Sequence, residues 1–138
     1  MDFEPGVHSN TFGGNLLACA SSLATFEVMR EDRLVENAAR LGKHLNKRLT
    51  ELQDRYELIG DVRGLGLMQA TELVKDRETK EHAVQERDRV IELCCKRGLI
   101  LLPAGRSTIR FIPPLSVDRD FIDEGIEILD SAFRDLAK

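Results

Sequence analysis

Hydrophobic residues recur at spacings of three and four over two long stretches of the chain. The first stretch contains Leu16, Ala20, Leu23, Ala24 and Val28, and the second contains Leu34, Ala38, Leu41, Leu45, Leu49 and Leu52. This period is that of an α-helix with one apolar face. The charged run from Arg30 to Arg33 interrupts it, and Asn15 is a good N-cap for the first stretch. The pattern predicts a long, broken helical arm over residues 16–55.

From Tyr56 onwards the pattern indicates strands. Branched and aliphatic residues are interleaved with Gly60, Gly64 and Gly66, which predicts two strands that meet at a glycine bend. The two glycines of the G-L-G sequence lack the third glycine and the following helix of a nucleotide-binding loop. A sheet therefore begins here.

The rest of the chain predicts further strands and helices. The polar stretch 75–81 indicates a surface turn, and Gly98 ends a helix whose apolar positions include Val90 and Cys94. Two short apolar runs, 99–102 and 108–112, favour a hairpin through 104–107. Ser116 is a candidate cap for a last helix, whose predicted apolar face comprises Phe121 or Ile122, then Ile126, Leu129, Phe133 and Leu136.

These elements predict an α+β fold. We expect a loop over 1–15, the helical arm over 16–55, and a small domain over 56–138. In the small domain, three or four mostly antiparallel strands form a sheet that helices cover on one face. One compact unit of this length is short for a complete cofactor enzyme.

Composition narrows the function classes. With 42% hydrophobic and 32% charged residues and a net charge of −4, the chain offers no basic field for nucleic acid. It has no apolar run of the roughly 18 residues that a membrane helix needs and no leader-like start, so we expect a cytoplasmic protein. The odd set Cys19, Cys94 and Cys95 indicates neither a disulfide framework nor a metal site.

The three histidines do not suggest a metal site either. His8, His44 and His82 are too dispersed along the chain, and we expect surface histidines at positions 44 and 82.

The segment HSNTFGGN, residues 8–15, is a polar, glycine-containing loop that leads directly into a predicted helix. Backbone N–H groups and the helix dipole favour an anion such as phosphate at such a place, and a threonine hydroxyl adds a hydrogen bond. A plain capping loop has the same composition, so both interpretations stay open on the residues alone.

Five segments together resemble the class III aminotransferases, which are fold-type I enzymes dependent on pyridoxal 5′-phosphate. They are HSNTFGGN followed by LLACASSLA, IGDVRGLGLM, ELVKDRETKE, RGLILLPAG and IRFIPPL, in the family's order. The resemblance is to the C-terminal portion of these enzymes, notably those described as 4-aminobutyrate, ornithine or acetylornithine aminotransferases. It implies the small C-terminal domain of that fold, and amino transfer from an amino acid to a 2-oxo acid.

The resemblance also implies roles for two residues. Thr11 corresponds to the threonine that binds the cofactor phosphate of the neighbouring subunit. Arg110 corresponds to the arginine that binds a substrate carboxylate, for which a guanidinium is well suited. Without the resemblance, Arg110 would be interpreted as a strand arginine that faces solvent. Leu16 stands where the family often has proline, a small departure.

In the family, the Schiff-base lysine and the aspartate that pairs with the cofactor ring nitrogen both lie upstream of the T-F-G-G motif. None of the six lysines here, at positions 43, 47, 75, 80, 96 and 138, has the apolar surroundings that would make it nucleophilic. We therefore expect no catalytic residue in this chain, and neither cofactor binding nor activity by the chain alone.

Three alternatives for function stay open. The chain is the C-terminal part of an aminotransferase that needs a large-domain partner, part of a related amino-acid racemase, or a stand-alone, non-catalytic oligomerisation or binding module. Because the apolar arm needs burial, we expect a homo-oligomer or a partner in each case. We also expect residues 1–15 to be mobile in the absence of their partners.

Overall fold

The structure is a computed structural model that describes residues 4, 6–7 and 11–136. The helices are α1 (Leu16–Glu31), α2 (Leu34–Arg55), α3 (Val84–Lys96) and α4 (Arg119–Leu136). The strands are β1 (Ile59–Leu65), β2 (Met68–Asp76), β3 (Glu81–His82), β4 (Leu102–Ala104) and β5 (Thr108–Phe111). The chain forms two compact units, Met1–Leu34 and Val35–Lys138. The predicted boundary after residue 55 stays a prediction.

The first unit contains α1. Asn15 caps it as predicted, because its side-chain oxygen accepts hydrogen bonds from the N–H groups of Leu17 and Ala18, each at 3.1 Å. The break predicted at the charged run is present: α1 ends at Glu31, and Arg33 has a φ of 51°. No residue of α1 is buried. Much of the predicted loop 1–15, His8 included, lies outside the described residues.

The second unit is built on an antiparallel sheet with the strand order β1-β2-β5-β4. A fifth, two-residue strand, β3, pairs with β2. The predicted α+β fold with an antiparallel sheet is confirmed, and β3 adds one strand to the predicted three or four. It was missed because it lies at the end of the polar stretch that indicated only a turn.

The core lies on one face of this sheet. Along β2, the residues that alternate toward this face, Gln69, Thr71 and Leu73, are buried, as are Ile109 and Phe111 on β5. The helices α2, α3 and α4 cover this face with the apolar positions that the helical period predicted. The fully enclosed large side chains include Leu41, Leu49 and Leu52 of α2, Val90 of α3, and Leu129 and Phe133 of α4. Gly98 ends α3 as predicted, with a φ of 91°.

A glycine contact sets how closely α2 approaches the β1–β2 turn. A Cβ atom on Gly42 would lie 2.2 Å from the carbonyl oxygen of Gly66. Gly66 itself has a φ of 54°, a left-handed conformation that glycine adopts without strain. The two glycines thus allow backbone to pack on backbone, a requirement that helix periodicity alone does not predict.

Two predicted boundaries were wrong. Ser116 does not cap the last helix: α4 begins at Arg119, and its first turn starts at Asp118, whose carbonyl accepts from the Ile122 N–H. The first strand of the hairpin is β4, not 99–102, and it includes Pro103. Proline is tolerated there because β4 is the edge strand, where no further strand needs its missing N–H.

Candidate functional site

Arg110 projects from the sheet face that the helices leave uncovered. Its neighbours on β5, Ile109 and Phe111, point into the core, so Arg110 lies on the opposite face. Its cross-strand partners there are Ala70 on β2 and Leu102 on β4. Its side chain is exposed.

This open face is apolar around Arg110. Leu65 and Met68 lie on the same face and are 86% and 60% exposed, and Leu102 is 52% exposed. Within residues 11–136, no hydrogen bond or ion pair holds the Arg110 side chain. A guanidinium in these surroundings can bind a carboxylate through two parallel hydrogen bonds.

The acidic residues of the open face are bound to a different arginine. Arg63 on β1 contacts Glu72 at 2.9 Å and also pairs with Asp61. The hydrogen bond to Asp61, together with that to Glu72, raises the pKa of the Arg63 guanidinium. Both carboxylates are bound to Arg63 and neither is paired with Arg110. This role could not be predicted from the sequence, since Arg63 and Glu72 are nine residues apart and meet only across the β1–β2 hairpin.

Thr11 begins a turn over residues 11–14 that leads into α1, and it is exposed. Gly14, with a φ of 77°, has open space where a Cβ would be. The Asn15 side chain already occupies the N–H groups of Leu17 and Ala18. The described turn therefore fits one hydroxyl contact to a phosphate, and not a complete phosphate site.

Thr11 and Arg110 lie in different units of the chain.

The lysines do not supply a cofactor attachment site in the described part of the structure. Lys43, Lys47, Lys75, Lys80 and Lys96 are all exposed, and Lys138 lies outside the described residues. A lysine that binds a carbonyl cofactor needs a protected environment to lower the pKa of its amine.

The expectation of a surface histidine was wrong for His44, whereas His82 is partly exposed. The His44 ring nitrogen Nε2 lies 2.8 Å from Asp123 Oδ1, between α2 and α4, and only 17% of the His44 side chain is exposed. His82 is half-buried, and its Nδ1 lies 3.1 Å from the hydroxyl of the buried Ser107. Among the described residues no group of His, Cys, Asp and Glu could hold a metal ion.

An apolar cavity of about 300 Å³ adjoins Arg110. It extends from β5 to α4, and its lining includes Leu102, Arg110, Ile112, Phe121 and Gly125. One feature of the sequence points to this cavity. Gly125 lies inside the apolar stripe of α4, where a glycine lowers helix stability and therefore suggests a role in packing or function.

No helix in the described ranges has the length and apolarity needed to cross a membrane.

Comparisons with known proteins agree with the sequence resemblance. Residues 1–133 match the model of the aminotransferase class-III family. The chain is 41% identical over 137 residues to a leucine/methionine racemase of Thermococcus litoralis, covering 99% of this chain and 31% of that protein. It is 39% identical over 132 residues to an acetylornithine aminotransferase of Gloeobacter violaceus, covering 95% and 31%.

A solved structure shows the same fold. The crystal structure of a Bacillus anthracis aminotransferase superposes with a TM-score of 0.87 at 34% sequence identity, covering 94% of this chain and 30% of that one. The chain therefore spans about a third of the length of the relatives that it matches.

Proposed function

The chain belongs to the aminotransferase class-III family, and we propose that it is the C-terminal part of a pyridoxal-phosphate enzyme that transfers amino groups between amino acids and 2-oxo acids. The single observation that supports this most is the placement of Arg110. It is an exposed guanidinium on the open face of the sheet, surrounded by apolar side chains, while the acidic residues of that face are bound to Arg63. Such a group is suited to binding the carboxylate of an amino acid.

In this proposal, Arg110 binds and orients the substrate carboxylate. Its five N–H donors form a fixed fork, and two parallel hydrogen bonds set the direction of the substrate as well as its affinity. Three exposed apolar residues, Leu65, Met68 and Leu102, lie on the same face. Where further protein covers this face and removes water, an ion pair with Arg110 is stronger than in open solvent. Arg63 reduces the repulsion that Asp61 and Glu72 exert on the incoming anion.

Thr11 would contribute one hydroxyl to the phosphate group of the cofactor bound in a neighbouring subunit. When bound, pyridoxal phosphate supplies the electron sink for chemistry at the amino-bearing carbon. The lysine and the carboxylate that hold its ring would come from the part of the enzyme that this chain does not span. The chain alone is therefore proposed to be inactive.

A racemase is the second candidate, and the 41% identity to a leucine/methionine racemase favours it. Both reactions begin with an amino acid whose carboxylate must be held. Arg110 would have the same role in either.

Reconstitution tests the proposal. The chain would be co-expressed with the upstream two thirds of the Thermococcus litoralis relative, and the KM for amino-acid substrates measured for wild type and for Arg110→Ala. Because a hydrogen bond to a charged group contributes about 1.5 to 3 kcal/mol, we expect the KM of Arg110→Ala to rise roughly tenfold to a hundredfold. Arg106→Ala, at an exposed arginine in the turn between β4 and β5, is the matched control. Equal KM values for Arg110→Ala and wild type would contradict the role of Arg110.

The isolated chain gives a separate test. After titration with pyridoxal phosphate and reduction with borohydride, we expect no stoichiometric adduct by intact mass, since every lysine in the described ranges is exposed. A single modified lysine would show a cofactor site within the chain.

A further inference from the structure

Another cavity, of about 350 Å³, lies where three helices begin or end. It is bounded by the end of α2 and the segment that follows it, the first turn of α3 and the last turns of α4. Its lining comprises Arg55, Tyr56, Glu57, Leu58, Glu86, Phe133 and Leu136. Because these helices cover the core face of the sheet, the cavity lies on the opposite side of the sheet from Arg110.

Glu86, which lines this cavity, has an unpaired carboxylate oxygen. Its Oε2 atom is buried, and no hydrogen bond reaches it from the described residues. The ammonium of Lys75 attracts Glu86 but is bound to Glu81, at 2.6 Å. A buried acceptor without a partner is unfavourable, because it has lost water and gained no donor. A bound ligand with N–H donors would supply what this oxygen lacks.

The other charged groups of the lining already have partners. Arg55 lies 3.0 Å from Asp130 on α4, and Glu57 lies 3.4 Å from Arg77. Each of these pairs combines one positive and one negative charge. The charge of the lining that remains without an ion-pair partner among the described residues is that of Glu86. The cavity therefore favours a cation over an anion or a neutral molecule.

The rest of the lining is suited to an aliphatic chain. Tyr56 stacks on the buried ring of Phe133 with 5.2 Å between the ring centroids, and its hydroxyl donates to Asp130 at 2.8 Å. These contacts hold the aromatic wall in place. Leu58 and Leu136 are partly buried beside it. An aromatic and aliphatic wall next to a carboxylate favours an ammonium group, since aromatic rings also attract cations.

We propose that this cavity binds a small primary amine, with its ammonium group at Glu86 and a short aliphatic chain against Tyr56 and Leu136. The volume is near the lower end of the range for small-molecule pockets, roughly 300 to 1,000 Å³, which fits a chain of a few carbons. This site goes beyond the proposed function, and it includes no residue of the open face.

The test uses the full chain and a tyrosine that lies in the site. The chain has one tyrosine and no tryptophan, so the fluorescence of Tyr56 reports on the cavity. Methylamine and butylamine would be titrated at constant ionic strength. Affinity should rise roughly fourfold for each methylene that enters the cavity. Butan-1-ol and butanoate, which carry no positive charge, should bind at least about tenfold more weakly than butylamine.

Three variants separate the charge from the apolar wall. Glu86→Gln keeps the shape of the side chain and should lower the affinity for butylamine roughly tenfold to a hundredfold. Glu57→Gln is the matched control, because Glu57 lines the same cavity but is 89% exposed and pairs with Arg77, and it should bind butylamine as wild type does. Leu136→Ser should reduce the gain from methylamine to butylamine, which provides a second test if Glu86→Gln does not fold.

A lysine side chain ends in the same ammonium group, so Nα-acetyl-lysine N-methylamide is a further ligand. Binding as tight as that of butylamine would assign the site to lysine side chains, and weaker binding would assign it to free amines. Both results support an ammonium site.

Two results would overturn the proposal. One is equal affinity of Glu86→Gln and wild type for butylamine, or binding of butanoate as tight as that of butylamine, since Glu86 would then not be the anchor. The other is the absence of any saturable change on addition of amines, both in Tyr56 fluorescence and in the amide shifts of ¹⁵N-labelled chain. Neither result bears on the role proposed for Arg110, which lies on the other side of the sheet.

Discussion

Helices α1 and α4 have similar lengths, 16 and 18 residues, and opposite surroundings. No residue of α1 is buried, whereas α4 buries five, namely Ile122, Ile126, Leu129, Ala132 and Phe133. The difference lies in the arrangement of apolar residues. In α4 they form one stripe and the remaining sides are largely charged. In α1 leucines, alanines, cysteine and phenylalanine occur on all sides, so the single apolar face predicted for α1 was wrong. A helix that is apolar all round is one that protein surrounds.

The buried core of the chain lies in the second unit, and α1 adds no buried residue to it. The second unit has a continuous core between its sheet and helices. We expect α1 to be covered by further protein, either a second copy or the two thirds of the family's length that this chain does not span.

The largest expected contrast comes from the same substitution in the two units. Leu49→Ala removes a fully buried side chain of α2 and should lower the free energy of unfolding by about 2 to 5 kcal/mol. Leu23→Ala in α1, at a side chain that is 64% exposed, should change it by less than about 0.5 kcal/mol. Urea unfolding followed by the fluorescence of the single tyrosine, Tyr56, measures both. Similar losses would mean that α1 is part of the same cooperative core.

The same substitution, glycine to alanine, should have opposite effects on stability at Gly42 and Gly125. Gly42→Ala places a methyl group against the Gly66 backbone and should destabilise the protein by about 1 to 3 kcal/mol. Gly125→Ala adds a methyl group where only Leu99 is near, and it should stabilise α4 by about 0.5 to 1 kcal/mol. Thermal unfolding by circular dichroism compares them. A stable Gly42→Ala variant would disprove the close contact between α2 and the β1–β2 turn.

A smaller effect concerns the ion pairs of Asp123, which accepts from His44 at 2.8 Å and lies 3.2 Å from Arg48 and 3.5 Å from Arg119. Burial raises the pKa of Asp123, but the hydrogen bond from His44 and the charges of its partners outweigh burial and lower it. The folded pKa thus lies below the unfolded value of about 3.9. The stabilisation is present above that value and is lost as pH falls through the folded pKa.

Asp123→Asn should therefore cost about 1 kcal/mol at neutral pH. Near pH 2 the variant and the wild type should be about equally stable. Asp54→Asn, at an exposed position of α2, is the control and should change stability by less than about 0.5 kcal/mol at either pH. Urea titrations at the two pH values give the comparison, and a loss that persists in acid would assign the effect to packing.

The smallest effect is on reactivity and not on stability. Burial raises the pKa of the Cys94 thiol to about 11, whereas Cys95 and Cys19 are exposed. We expect a thiol reagent at neutral pH to modify Cys19 and Cys95 quickly, and Cys94 only after unfolding. Mass spectrometry of peptides at timed intervals follows the three sites. Fast labelling of Cys94 in the folded protein would show that the core opens around α3.

Most of the elements and the family could be predicted from the sequence. The helical period placed α1, α2 and the stripe of α4, and glycines marked the hairpin and the end of α3, because these features depend on neighbouring residues alone. It also placed Cys94 among the apolar positions of α3, and Cys94 is buried. The roles of Thr11 and Arg110 stay predictions, drawn from the resemblance.

The neighbours of these residues could not be predicted from the sequence. Gly42 meets Gly66, His44 meets Asp123, and Arg63 reaches Glu72 because distant segments pack together. The cavity beside Arg110 likewise forms where β4, β5 and α4 converge. Local periodicity specifies which face of an element is apolar, but the partner of each side chain depends on the register and angle at which elements pack, and these are set by the whole core at once.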